Sequence, residues 1–152
     1  MRTRRGFSLI EIMMTMAIVM VVSGLVYPQL SDLVNVAPTT TMSFAVRQIR
    51  QQIAFHREVG DCPMSLEGNP TDVDGRWFPR GQLPIDPWTQ KPLKVQVVQA
   101  NHPEPNPSQM SFQLGSNAHT AWYNSRTGTF FVKVPKRGTN EEIEALFWQI
   151  NG

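Results

Sequence analysis

The sequence has a single cysteine and almost no net charge, and each of these shortages excludes a class of protein. Cys62 alone cannot form a disulfide within the chain. The 14 lysine and arginine residues nearly balance the 12 acidic ones, and three of the basic residues lie in the first six positions. The chain beyond those positions is close to neutral, so the sequence does not predict binding to nucleic acid.

Catalytic and metal-binding patterns are also missing. The sequence contains no phosphate-binding loop, no dinucleotide-binding fingerprint and no nucleophile-elbow motif. His56, His102 and His119 have no cysteine or acidic partners at metal-ligand spacing. Cys62 precedes Pro63 without an activating partner, so we interpret it as a passive thiol, with an intersubunit contact left open. We therefore expect no enzyme activity, no metal site and no cofactor.

A long apolar run near the N-terminus is the strongest feature that is present. Residues 7–27 follow a short basic stretch, MRTRRG, and are apolar except at five positions. These five are Ser8, Glu11, Thr15, Ser23 and Gly24. A helix of this length is roughly 31 Å long, about the thickness of one bilayer core. Because arginines in front of a span stay in the cytoplasm, the pattern sends the C-terminal part across the membrane.

Glu11 separates three interpretations of this run. A secretory signal peptide has a shorter apolar run and then a small-x-small cleavage site, for which residues 23–24 are the only candidate. A plain membrane anchor leaves Glu11 unexplained, because a charge at that depth costs about 2.5–3.5 kcal/mol. In the third interpretation the carboxylate has a function. A simpler alternative is that Glu11 reaches the lipid headgroups.

Residues 5–11, RGFSLIE, resemble the processing site of the type IV pilin and type II secretion pseudopilin family. The family pattern is a short basic leader ending in glycine, then phenylalanine, then an apolar run with glutamate at its fifth position. Every element is present here. The resemblance implies that prepilin peptidase cleaves between Gly6 and Phe7 and that the new Phe7 amine is N-methylated. Gly6 suits a scissile bond because it adds no side chain there.

The same resemblance implies roles for Glu11 and Pro28. In a filament, Glu11 of one subunit can pair with the Phe7 amine of its neighbour and fix the axial register between them. Pro28 lies where the family has a helix-loosening proline, and proline removes a backbone hydrogen bond. The alternative is that Pro28 only marks the exit from the membrane.

Residues 28–58 are predicted to continue the helix, with a kink at Pro28. Pro38 interrupts the apolar face, and residues 39–41, all threonine, can cap a restarted helix. The apolar residues that follow recur at helical spacing and should pack on a sheet: Met42, Val46, Ile49 and Ile53. The other face carries Arg47, Arg50 and Arg57. We interpret that face as solvated rather than as a lipid or DNA contact.

Residues 59–152 are predicted to form a globular head. Residues 59–91 have no periodicity and read as a long loop, with Leu83, Ile85 and Trp88 as its contacts to the core. Strand patterns then occur at residues 93–97, 110–114, 120–123 and 129–134, the last two as a hairpin. Thr139 and Glu142 have capping-box spacing before a short C-terminal helix. The predicted fold is pilin-like α+β: a long N-terminal helix, its first half membrane-spanning, packed on a three- or four-stranded antiparallel sheet.

Two segments of the head that contain aspartate match parts of known motifs. Asp86-Pro87-Trp88 resembles part of a segment of type II secretion major pseudopilins, but the Gly-Asn-Pro that usually follows is absent. Asp72 and Asp74 match a fragment of a calcium loop without its further acidic ligands. We interpret them as a solvated turn and do not carry calcium over from the family.

These features predict a structural subunit of a pseudopilus or type IV pilus-like filament. Its parts are a cleaved leader (1–6), an assembly helix (7–27), its amphipathic continuation (28–58) and the head (59–152). The implied partners are prepilin peptidase, identical or related pilin-like subunits, the assembly platform protein with its ATPase, and the membrane. The implied location is the inner membrane, with a cytoplasmic N-terminus and a periplasmic head, and then the filament.

Type II protein secretion is the favoured role. It rests on the partial Asp-Pro-Trp match and on the absence of the C-terminal cysteine pair common in pilins. One alternative is a minor pilin of a type IV pilus or competence system. The other is a membrane-anchored periplasmic binding domain that does not polymerise.

Overall fold

The computed structural model describes residues 9–152, and the side chains of all of these except residues 23–37. The chain divides into two units, residues 1–37 and residues 38–152. A long helix, α1 (Leu9–Val59), precedes a series of short strands and a second helix, α2 (Asn140–Asn151). The strands are β1 (Ile85–Asp86), β2 (Lys91–Pro92), β3 (Val95–Val98), β4 (Ser111–Phe112), β5 (Ala121–Asn124), β6 (Thr129–Val132) and β7 (Val134–Pro135). This confirms the α+β class with an N-terminal helix.

The C-terminal part of α1 packs through the predicted stripe. Met42, Val46, Ile49 and Ile53 are each at most 4% exposed and belong to one hydrophobic core with the strands and α2. Their spacing of three and four residues places them on one side of the helix. The amphipathic prediction for this stretch is confirmed.

The predicted interruption at Pro38 is wrong. Helix α1 is continuous through Pro28 and Pro38, and the threonines at 39–41 lie inside it rather than capping a new helix. Proline has a helical φ, and its cost is confined to one lost hydrogen bond and a local clash, so flanking helix can outweigh it. The kink at Pro28 stays a prediction, and the Pro28 side chain lies outside the described side chains.

The strands of residues 9–152 form three small sheets instead of one antiparallel sheet. Strand β5 is the centre of the largest, parallel to β3 and antiparallel to β6. Strands β4 and β7 pair in parallel, and β1 and β2 form an antiparallel pair. The hairpin β5–β6 confirms one prediction, but the antiparallel orientation is wrong for β3–β5 and β4–β7. Alternation of side chains indicates that a segment is a strand, but it does not indicate whether the neighbouring strand runs parallel or antiparallel.

Both faces of the hairpin β5–β6 are covered. Phe130 and Val132 lie on one face of β6 and are buried. Phe131 points to the opposite face and is also buried, because its ring stacks on Phe147 of α2 with 5.7 Å between centroids. Helix α2 thus completes the core, and the capping box predicted at Thr139 and Glu142 is formed.

The free edge of β6 is occupied by two side chains that the sequence did not mark. The Arg50 guanidinium donates from Nε to the carbonyl of Phe130 (3.1 Å) and from Nη2 to the carbonyl of Asn151 (2.7 Å). The Asn151 amide accepts from Val132 N–H (2.8 Å) and donates to Val132 C=O (2.9 Å), as a neighbouring strand would. The interpretation of Arg50 as part of a solvated face is therefore wrong, and burial lowers the pKa of its guanidinium.

The segment predicted as a long loop has more structure than expected. It contains two 3₁₀ turns, Gly75–Trp77 and Pro79–Gly81, and the pair β1–β2 begins at its end. Leu83 and Trp88 pack against the core as predicted, but Ile85 is 47% exposed. Val73 and Phe78 are buried in its place.

Candidate functional site

The structure describes only some of the residues that are predicted to act in processing and assembly. Gly6 and Phe7 lie outside the described residues. Glu11 lies in α1 and is exposed. At Pro28 the backbone is helical. The roles assigned to all four residues stay predictions.

Residues 9–22 of α1 expose a largely apolar surface that only Glu11 and Thr15 interrupt. Every one of these residues is exposed, and eleven large apolar side chains are each 46–77% accessible. They are Leu9, Ile10, Ile12, Met13, Met14, Met16, Ile18, Val19, Met20, Val21 and Val22. A helix that is apolar on all sides is typical of a buried element rather than of one facing water. This surface is the principal candidate interaction site of the chain.

Taken across residues 9–152, no helix combines the length and the apolar character that crossing a bilayer requires. The membrane span predicted for residues 7–27 begins outside this range and stays a prediction.

Glu11 is the only ionisable residue of the segment 9–22. Thr15, the other polar residue there, donates its hydroxyl to the carbonyls of Glu11 (3.0 Å) and Ile12 (2.8 Å). That hydroxyl is satisfied within the helix and tolerates an apolar environment. In the part of the chain that the structure describes, no hydrogen bond or ion pair reaches the Glu11 carboxylate. Glu11 is therefore the one group of this surface that needs an external partner.

The end of α1 and the loop that follows it contain His56 and Cys62, which the sequence analysis considered as a ligand and a nucleophile. His56 Nδ1 lies 2.6 Å from Asp61 Oδ1, and its ring stacks on Trp77 with 4.2 Å between centroids. Burial, and then the charge of Asp61, raises the pKa of the Cys62 thiol, which disfavours the nucleophilic thiolate. Within residues 9–152 no three histidine, cysteine or acidic side chains gather as a metal site.

Asp72 and Asp74, which match a fragment of a calcium loop, form hydrogen bonds within their own turn. Asp74 accepts from Arg76 N–H (2.9 Å) and pairs with the Arg76 guanidinium (2.6 Å), and hydrogen bonds from Arg76 lower the pKa of Asp74. Asp72 accepts from Val73 N–H at 2.7 Å. Asp74 thereby caps the 3₁₀ turn Gly75–Trp77.

Asp86 of the Asp-Pro-Trp segment is fully buried and holds a turn together. Its carboxylate accepts from Trp88 N–H (2.8 Å) and from the Thr89 hydroxyl (3.0 Å), and its carbonyl accepts from Gln90 N–H (2.8 Å). Aspartate favours such turns because its short side chain reaches the backbone two residues ahead. The function of Asp86 in this segment is therefore structural, because its hydrogen bonds to residues 88–90 stabilise the turn.

A cleft in the head joins residues that the sequence analysis did not connect. Lys91, Lys94 and Arg137 line it together with Trp88. These cations come from separate segments, and no short motif marks them. Of these four residues, only Trp88 belongs to a motif noted in the sequence, the Asp-Pro-Trp segment.

Comparison with known proteins identifies the N-terminal segment. A family model, the prokaryotic N-terminal methylation motif, matches residues 1–27. No curated protein and no solved structure matches the chain. The motif fits a processed, membrane-anchored subunit and points to a structural protein rather than an enzyme. Residues 1–27 therefore carry the signature of type IV pilins and pseudopilins.

Proposed function

We propose that the chain is a subunit of a pseudopilus or type IV pilus-like filament that serves type II protein secretion. Prepilin peptidase cleaves it between Gly6 and Phe7, and the Phe7 amine is then methylated. The subunit waits in the inner membrane with its head in the periplasm. An assembly platform and its ATPase then stack it with identical or related subunits through the N-terminal helix.

The exposed apolar surface of residues 9–22 is the observation that carries this proposal. Fully burying one large apolar side chain stabilises a protein by about 1.5–3 kcal/mol. Eleven such side chains stand exposed in this segment, so removing them from water is worth on the order of 10–30 kcal/mol. Both lipid and a bundle of identical helices supply the apolar surroundings that this surface requires.

Glu11 supports assembly rather than simple anchoring. A lone carboxylate in this apolar surface is costly in lipid, whereas pairing with a positive amine compensates its charge. Cleavage before Phe7 would create such an amine four residues away from Glu11 along the chain. A neighbouring subunit displaced along the filament axis can then offer its Phe7 amine to Glu11.

Cleavage is tested by mass spectrometry of the protein extracted from membranes. We expect a mature N-terminus at a methylated Phe7. Gly6→Ala should block processing, whereas Gly24→Ala, the same change within the apolar run, should leave it intact. A mature N-terminus at any other residue would refute the cleavage site.

Assembly is tested by chemical cross-linking in cells. The wild type should give a ladder of multimers, and Glu11→Gln should reduce it without affecting cleavage or membrane insertion. Glu58→Gln removes the same charge from an exposed position at the far end of α1 and should leave the ladder unchanged. A normal ladder from Glu11→Gln contradicts the pairing, and no ladder from the wild type favours a non-polymerising anchored domain.

The choice of machine is tested by deleting the gene. A type II pseudopilin is required for release of secreted enzymes, so their activity should disappear from the culture medium. Loss of DNA uptake or twitching with secretion intact would favour a minor pilin instead.

A further inference from the structure

A cleft in the head concentrates positive charge without an acidic side chain. It has a volume of about 320 Å³ and is lined by Lys91, Lys94 and Arg137, with Trp88 among its remaining residues. The four ion pairs found in residues 9–152 all lie elsewhere and include none of these three cations. The cleft is therefore lined by three cations that no ion pair within this range neutralises, which favours an anion.

One wall of the cleft is held by the buried Asp86 turn. The Asp86 carboxylate fixes Trp88 and Thr89 through two hydrogen bonds, and the pair β1–β2 continues this turn to Lys91. Because both Asp86 oxygens are engaged and the residue is fully buried, its negative charge does not face the cleft. The Asp-Pro-Trp segment thus helps to place Trp88 and Lys91 in the lining of the same cleft.

Lys94 and Thr120, which both line the cleft, are held together by two hydrogen bonds. Lys94 N–H donates to the hydroxyl of the buried Thr120 (3.1 Å), and Thr120 N–H donates back to the Lys94 carbonyl (2.9 Å). The Lys94 ammonium group is hydrogen-bonded to the Asn117 side-chain carbonyl, which leaves its positive charge uncompensated. These contacts hold Lys94 at the start of the parallel pair β3–β5.

We propose that this cleft binds a phosphate group, either free or at the end of a larger molecule. A phosphate bears up to two negative charges and offers several acceptor oxygens, which suits three cationic donors better than a single carboxylate does. The volume lies at the lower end of that of small-molecule sites, so it admits a phosphate and a small attached group next to Trp88. This inference does not depend on the filament function proposed above.

Fluorine NMR of the full chain in detergent micelles, labelled with 5-fluorotryptophan, tests the proposal. Trp88→Phe assigns one of the four tryptophan signals. Titration with inorganic phosphate should shift the Trp88 signal saturably, whereas sodium chloride at equal ionic strength should not. Lys91→Gln, Lys94→Gln and Arg137→Gln should each weaken the apparent affinity by roughly three- to tenfold.

Lys136→Gln is the matched control. Lys136 is exposed and adjacent to Arg137 but lines a different cleft, so its replacement changes the net charge equally without touching this site. The other three tryptophan signals report whether each variant is folded. Equal weakening by Lys136→Gln and Lys94→Gln would overturn the proposal, because the effect would then follow net charge alone.

A second titration distinguishes free phosphate from a lipid headgroup. The chain is placed in nanodiscs of phosphatidylcholine with or without phosphatidic acid. A Trp88 shift that depends on phosphatidic acid and is lost in Lys94→Gln assigns the lipid, and a shift only with inorganic phosphate assigns a soluble ligand. The absence of a saturable shift in both titrations would refute the site.

Discussion

Replacing Asn151 with alanine tests how the free edge of β6 is stabilised. The Asn151 side chain is buried and makes three hydrogen bonds. Its amide nitrogen donates to the carbonyls of Val132 and Phe147, both at 2.9 Å, and its oxygen accepts from Val132 N–H at 2.8 Å. Val132 is fully buried, so water cannot replace the lost partner of its backbone.

The expected loss of stability follows from these contacts. A buried donor without a partner costs about 1–3 kcal/mol, and each remaining hydrogen bond contributes about 0.5–1.5 kcal/mol. Asn151→Ala should therefore lower the free energy of unfolding by about 2–6 kcal/mol. In a unit of this size that change lowers Tm by about 6–25 °C.

Thermal unfolding of the full chain in detergent, followed by near-ultraviolet circular dichroism, measures this shift. Asn140→Ala is the control, because Asn140 is exposed at the other end of α2 and the truncation is the same. Its Tm should stay within about 2 °C of the wild type. A shift below about 3 °C for Asn151→Ala, or an equal shift for both variants, would refute the argument from the strand edge.

Three further changes test other contacts of the globular unit. Arg50→Lys cannot reproduce both guanidinium hydrogen bonds and should destabilise by about 1–2 kcal/mol in the same assay, whereas the exposed Arg47→Lys should be neutral. Gly128 has a φ of +74°, and a Cβ there would lie 2.5 Å from Asn69 Oδ1, so Gly128→Ala should cost about 1–3 kcal/mol. Because burial raises the pKa of the Cys62 thiol, its alkylation by iodoacetamide should be slower than that of free cysteine and still rise with pH at about pH 9.5. A rate that has already levelled off at neutral pH would contradict this.

Predictions that rest on neighbours along the chain were confirmed. The stripe from Met42 to Ile53 is buried, the hairpin β5–β6 forms, and Thr139 caps α2. Each depends on residues three to twelve positions apart, whose spacing in sequence sets their spacing in space. The processing motif is equally local, because the family model that matches it covers residues 1–27 alone.

Predictions failed where distant segments meet. The pairs β3–β5 and β4–β7 are parallel because of how long connections return, and side-chain alternation does not record that direction. Arg50 was predicted to lie on a solvated face because its two hydrogen-bond partners are 80 and 101 positions further along the chain. Pro38 looked like a break, but its local penalty did not end the helix.

The sequence alone determined that the N-terminus carries the processing motif and which residues of α1 turn inward, because those properties arise from residues close together along the chain. The tertiary structure decided which side chains cover the edge of β6 and which cations share a cleft. Lys91, Lys94 and Arg137 are spread over 47 positions and have no common pattern. Only the packing of their strands brings them around one space.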